Sequence, residues 1–156
     1  MEKEEKKLEL EKFRALVIAT LDYYIVNLQF KAEGFDSVAN YENLKLQTEE
    51  HFQKGRLSTL KQWFRDLTEM QVETLDFKFN KYLQDKTQCD IDIFKTYFER
   101  LDKIIQKGKI TSDNQFYNLK NAVDKLCHLE PLDHNKIALL NKLLVDYEQK
   151  IVRSRN

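Results

Sequence analysis

Five residues, Cys89, Cys127, His51, His128 and His134, are the only thiols and imidazoles in the chain, and three of them lie close together. Cys127, His128 and His134 have Glu130 and Asp133 between them, so a loop there would gather thiolate, imidazole and carboxylate of the kind that holds zinc. Their spacing follows no established zinc pattern. Consecutive residues on a helix point about 100° apart, so Cys127 and His128 cannot face one ion without unwinding it. The group therefore reads as a thiol beside surface imidazoles at a helix junction. Asp90 and Asp92 would suit a hard divalent cation, but capping and the helix dipole also favour carboxylates at a helix start, and that reading is preferred.

The strings that mark other chemistries are missing. No Arg stands a few residues before any of the three histidines, as helical nucleases require, and neither His-Glu-x-x-His nor an adjacent pair in the order His-Asp occurs. Gly34, Gly55 and Gly108 are too far apart to form a phosphate-binding loop. These residues point to no catalytic group, no metal, no cofactor and no small-molecule substrate, and hence to a non-enzymatic protein.

Two kinds of binding chemistry remain. The 26 basic and 26 acidic residues cancel, so no long-range field draws the chain onto nucleic acid. Three short basic segments nevertheless stand in an acidic background. They carry Lys54, Arg56, Lys61 and Arg65, then Arg100, Lys103, Lys107 and Lys109, and finally Lys150, Arg153 and Arg155. Trp63 and Phe64 lie inside the first, and bases and phosphates of a single strand are held by such a mixture of flat rings and cations. Trp63 itself is better assigned to the core. The second kind is aromatic contact. Ten Phe, seven Tyr and one Trp exceed what the main apolar stripes need, and Tyr23, Phe30, Phe35 and Tyr117 fall off those stripes. Rings on a helical surface favour protein partners because they bury much area with little loss of rotamer freedom.

Helices must position all of these groups. Phe13, Leu16, Val17, Leu21, Tyr24, Ile25 and Leu28 recur at three- and four-residue steps and predict a helix over 5–33, ended by Gly34. A weaker helix follows over 38–53, before Gly55. Ser58 is positioned to cap a long third helix, 58–84, in which Leu60, Phe64, Leu67, Leu75, Phe79 and Tyr82 form the inner face. A fourth helix begins near residue 90, with Ile91, Phe94, Phe98, Leu101 and Ile105 inward, and stops at Gly108. Ser112 and Gln115 have capping-box spacing and open a fifth. Asp133, just after Pro131, caps the sixth, which carries Ile137, Leu140, Leu144, Tyr147 and Ile151.

The expectation is an all-α, irregular bundle of about six helices forming a single domain over 1–156. Its two long helices, 5–33 and 58–84, would each extend about 40 Å and form an antiparallel spine. No stretch is apolar enough to span a bilayer and the opening residues lack a secretory pattern, so a cytoplasmic location with no membrane partner is expected. The function expected is a protein-protein interaction or assembly module that binds a protein partner or forms a homodimer through the first helix. The alternative is a nucleic-acid-associated subunit of a larger complex that uses the basic segments.

Overall fold

The computed structural model describes all residues, Met1–Asn156, and contains seven helices and one short hairpin. In order these are α1 (Lys3–Asn27), β1 (Lys31–Ala32), β2 (Phe35–Asp36), α2 (Ser37–Gln53), α3 (Leu57–Glu73), α4 (Phe77–Thr87), α5 (Lys95–Lys107), α6 (Asp113–Leu126) and α7 (His134–Arg155). The fold is all-α, and no helix is long and apolar enough to cross a membrane. The chain divides into two compact units, residues 1–93 and 94–156.

In the first unit α1 packs against α2, α3 and α4. Side-chain pairs fix the directions. Arg14 meets Glu49 and Asp22 meets Lys45, so α2 runs antiparallel to α1. Glu9 meets Lys61, Phe13 meets Phe64 and Tyr24 meets Gln71, so α3 runs parallel to it. Tyr24 meets Phe79, and the Tyr82 hydroxyl donates to the Ala19 carbonyl, so α4 returns antiparallel. The first and third helices are thus parallel rather than the antiparallel spine expected, because two reversals lie between them, the hairpin before α2 and the turn between α2 and α3; a further reversal divides 58–84.

The reversal that divides 58–84 lies at Thr74–Asp76, where Leu75 takes a left-handed conformation with φ 50° and Asp76 caps α4 by accepting from the Phe79 amide at 3.0 Å. Leucine at this position is not a sequence signal for a helix end, so a continuous helix over 58–84 was the natural expectation. Ser58 does not cap α3 either; the helix begins at Leu57, and Arg56 stands at the cap position without a side-chain bond.

The core of this unit gathers Leu16, Val17, Ala19 and Leu21 from α1, Phe64 from α3 and Phe79 and Leu83 from α4, with Trp63 partly buried against them. Each large apolar side chain so enclosed contributes about 2 kcal/mol. The buried hydroxyls of Thr20, Thr48 and Thr68 donate to carbonyls four residues back, at 2.7–2.8 Å, which offsets their removal from water. The helix expected from near residue 90 begins at Lys95 instead. Residues 88–93 are strapped along α4, where Asn80 and Gln84 donate to the Ile91 carbonyl and Asn80 accepts from the Ile93 amide at 3.0 Å. Ile91 and Ile93 consequently pack on the first core.

The second unit joins α5, α6 and α7. The start of α6 meets the C-terminal part of α7, since the Tyr147 hydroxyl donates to Asp113 and the Phe116 ring stacks on Tyr147 at 5.4 Å. Lys136 of α7 reaches Asp102 of α5 at 3.0 Å and lies over the Phe98 ring. Leu101, Leu119, Ala122, Val123, Leu126, Leu140 and Leu143 are buried. Ser112 caps α6 as its spacing predicts, accepting from the Gln115 amide at 3.2 Å. The reciprocal arm falls one residue earlier, with Gln115 accepting from the amide and hydroxyl of Thr111. Asp133 caps α7 through the Lys136 amide at 3.0 Å.

Candidate functional site

The hairpin between α1 and α2 presents two exposed aromatic rings, Phe30 and Phe35. The first helix stops at Asn27 rather than at residue 33 because side-chain amides close its last turn: Asn27 donates to the Tyr23 carbonyl and Gln29 to the Ile25 carbonyl, each at 2.9 Å. The chain then forms a two-residue turn at Glu33 and Gly34, in which Gly34 supplies φ 76°, and Ala32 pairs with Phe35 and Lys31 with Asp36. Ser37 ties the base of this hairpin. Its hydroxyl accepts from the Phe30 amide at 2.6 Å, and its amide donates to the Phe30 carbonyl at 2.9 Å. Asp36 caps α2 by accepting from the Val38 and Ala39 amides.

These bonds hold Phe30 and Phe35 as a pair, ring centroids 6.3 Å apart, with 62% and 47% of their surface in solvent. Tyr117 on α6 is equally open, at 62%. Tyr23 differs from the surface position expected for it. Its ring is partly buried against Phe79 and Tyr82, at 5.0 and 5.1 Å, so it serves the core of the first unit. Its neighbour Tyr24 donates to the Leu67 carbonyl and to Gln71 Oε1. Burial pushes the Tyr24 hydroxyl up to about 12, against the lowering effect of the Gln71 bond, which keeps it a neutral donor.

The basic segments are placed unequally. In the first, Lys54 is bonded to Glu50, and that contact holds the Glu50 carboxyl below its usual range. Arg56 Nη1 lies 3.3 Å from His51 Nδ1, and the His51 ring meets the Trp63 ring edge-on. Lys61 pairs with Glu9 at 3.3 Å and lies over the Phe13 ring. Only Arg65 of this group is exposed with no partner. On α5 the pattern is different. Arg100, Lys103 and Lys107 stand at i, i+3 and i+7, on one helical face, and all three are exposed, as is Lys109 beyond Gly108. Lys150, Arg153 and Arg155 are exposed in the last two turns of α7. The first segment therefore belongs to residues 1–93 and the other two to residues 94–156.

Cys127 caps the end of α6, His128 follows it and His134 opens α7; all three are exposed, and no three His, Cys, Asp or Glu side chains are grouped to hold a metal ion. Asp90 and Asp92 lie in the strap on α4, not at the helix start expected for them, because α5 begins three residues beyond Asp92.

The residues that sequence reasoning missed are those that order the hairpin. Asp36 at a cap position, a single glycine two residues before it and phenylalanines at 30 and 35 together form a recognisable turn signal, but the apolar period of α1 obscured it. Fold and surface define a class: an all-α protein of two compact helical units whose open features are an aromatic hairpin and local basic faces. No protein family, no curated protein and no solved structure matches this chain.

Proposed function

We propose that this chain is a non-enzymatic interaction or assembly module that docks a protein partner, or a second copy of itself, through exposed aromatic side chains. The observation that carries this reading is the Phe30–Phe35 pair. Two large rings are held in solvent by a hairpin whose base is fixed through Ser37, so little conformational entropy is lost when a partner covers them. Apolar surface kept open on an ordered element is characteristic of contact sites. The middle of α1 is enclosed by α2, α3 and α4, which moves the proposed contact from the long helix to the hairpin at its end.

The test places a photo-cross-linking residue at position 30 in the native cell, with a second at the exposed position 86 as control. Sedimentation of the purified chain follows self-association. Specific cross-links or dimer formed through position 30, and lost in the Phe30→Ser/Phe35→Ser double variant with its helical signal intact, are the expected outcome. Equal labelling from positions 30 and 86, together with a monomer unaffected by the double substitution, would overturn the reading.

A second reading has its own support in the α5 face. Arg100, Lys103 and Lys107 are aligned and free of acidic partners, as a contact to a nucleic-acid backbone requires. Gel-shift titration with single-stranded RNA and DNA at low salt tests it. Binding should weaken in the triple charge-reversed variant, and no shift at micromolar protein would remove this reading.

A further inference from the structure

The second unit carries a groove between the start of α6 and the last turns of α7, with a volume of about 590 Å3. We infer that this groove is a docking site for a basic side chain, arginine in preference to lysine, presented by a partner protein. Its volume is in the range of specific ligand sites. Rings and carboxylates line it together: Phe116 and Tyr117 from α6, Asp113 at the start of the same helix, and Glu148 and Ile151 from α7.

The rings are already arranged. Phe116 stacks on Tyr147 with centroids 5.4 Å apart and meets Tyr117 edge-on at 5.4 Å, which leaves the open ring of Tyr117 as the surface a cation would cover. Asp113 is held in place by the Tyr147 hydroxyl, which donates to its Oδ1 at 2.5 Å and leaves Oδ2 for a second donor. Neither Asp113 nor Glu148 takes part in a salt bridge. A planar guanidinium is suited to such a place, because it stacks on a ring while donating to a carboxylate at its edge. Arg155 also lines the groove, is its one cation, and would compete with an incoming one.

This site lies within α6 and α7 and is independent of the hairpin. It is tested by NMR titration of the full chain with three probes, the N-acetyl amides of arginine, lysine and glutamate. The arginine probe should shift the Phe116, Tyr117 and Glu148 signals, the lysine probe should do so less, and the glutamate probe should leave them unmoved. Tyr117→Ala and Glu148→Gln should each weaken the arginine response by about two- to fivefold, the size expected of an exposed cation–ring or charge contact. Arg155→Ala should strengthen it, and Phe30→Ser/Phe35→Ser should leave it unchanged, which separates this site from the hairpin. Shifts scattered over the surface, equal responses to all three probes, or no response at about 50 mM probe, weaker than the millimolar range of single-contact ligands, would overturn it.

Discussion

Two reversals in the first unit use one hydrogen-bond pattern with different residues. Between α2 and α3 the Gly55 amide donates to the Phe52 carbonyl and the Arg56 amide to the His51 carbonyl, each at 3.0 Å. Between α3 and α4 the Leu75 amide donates to Val72 at 3.1 Å and the Asp76 amide to Gln71 at 2.9 Å. The next bonds also correspond, Leu57 to Gly55 and Phe77 to Leu75. Both are Schellman closures with a left-handed residue just past the helix, φ 64° at Gly55 and φ 50° at Leu75. Glycine takes that conformation without penalty, whereas leucine incurs about 1–2 kcal/mol. Leu75 offsets this by burying its side chain, 5% of which remains exposed, whereas a Cβ at Gly55 would meet nothing within 4 Å. A helix can therefore be ended either by conformational freedom or by packing, and only the first is written in the residue type.

The largest effect is expected where packing does the closing. Leu75→Ala should destabilise the first unit by about 3 kcal/mol, because the cavity is created while the left-handed cost stays. Leu75→Gly should lose less than Leu75→Ala, by about 1 kcal/mol, in reverse of the usual preference for alanine in folded chains. Denaturant unfolding followed by Trp63 fluorescence measures both, and a glycine variant less stable than the alanine variant would break the comparison. Gly55→Ala should cost about 1 kcal/mol through backbone strain alone, since the added methyl meets open space. Asp76→Ala should also cost about 1 kcal/mol by removing the acceptor of the Phe79 amide, and a neutral result would mean that the cap is replaced by water.

The same contrast explains what was legible beforehand. Gly55 and Gly108, Ser112 and Asp133 mark element ends through side chains whose chemistry acts locally, and the structure uses each at or beside the place its type predicts. Leu75 ends a helix through burial that depends on the folded neighbours, so its role was invisible and the 58–84 stripe read as one rod. Gly34 was recognised as a stop but not as a turn, because its positive φ serves a hairpin rather than a helix cap. The α5 face was legible as a basic segment. Its lack of partners was not, since pairing such as Lys61 with Glu9 joins residues far apart in the chain. Phe30, Phe35 and Tyr117 were found by falling off the stripes, yet the same test also selected Tyr23, whose ring is partly covered by α4 across the bundle.

The smallest effect concerns Arg56, whose backbone, φ −83° and ψ 66°, nearly matches that of Asp76, φ −78° and ψ 81°. Asp76 uses this conformation to cap its helix; Arg56 makes no cap bond and sets a cation at the positive end of the α3 dipole. Arg56→Asp should let the new carboxylate accept from the Thr59 amide and stabilise the first unit by about 0.5 kcal/mol, after loss of the exposed contact to His51. Trp63-monitored unfolding resolves this gain when variant and parent are measured side by side, and a loss of stability would show that the His51 contact outweighs the missing cap. A gain would mean that the chain carries a locally unfavourable residue at position 56. Such exceptions concentrate where a side chain is needed for something other than folding, so the stabilised variant is also the one to carry into the gel-shift titration, where weakened binding would assign Arg56 to a contact with nucleic acid.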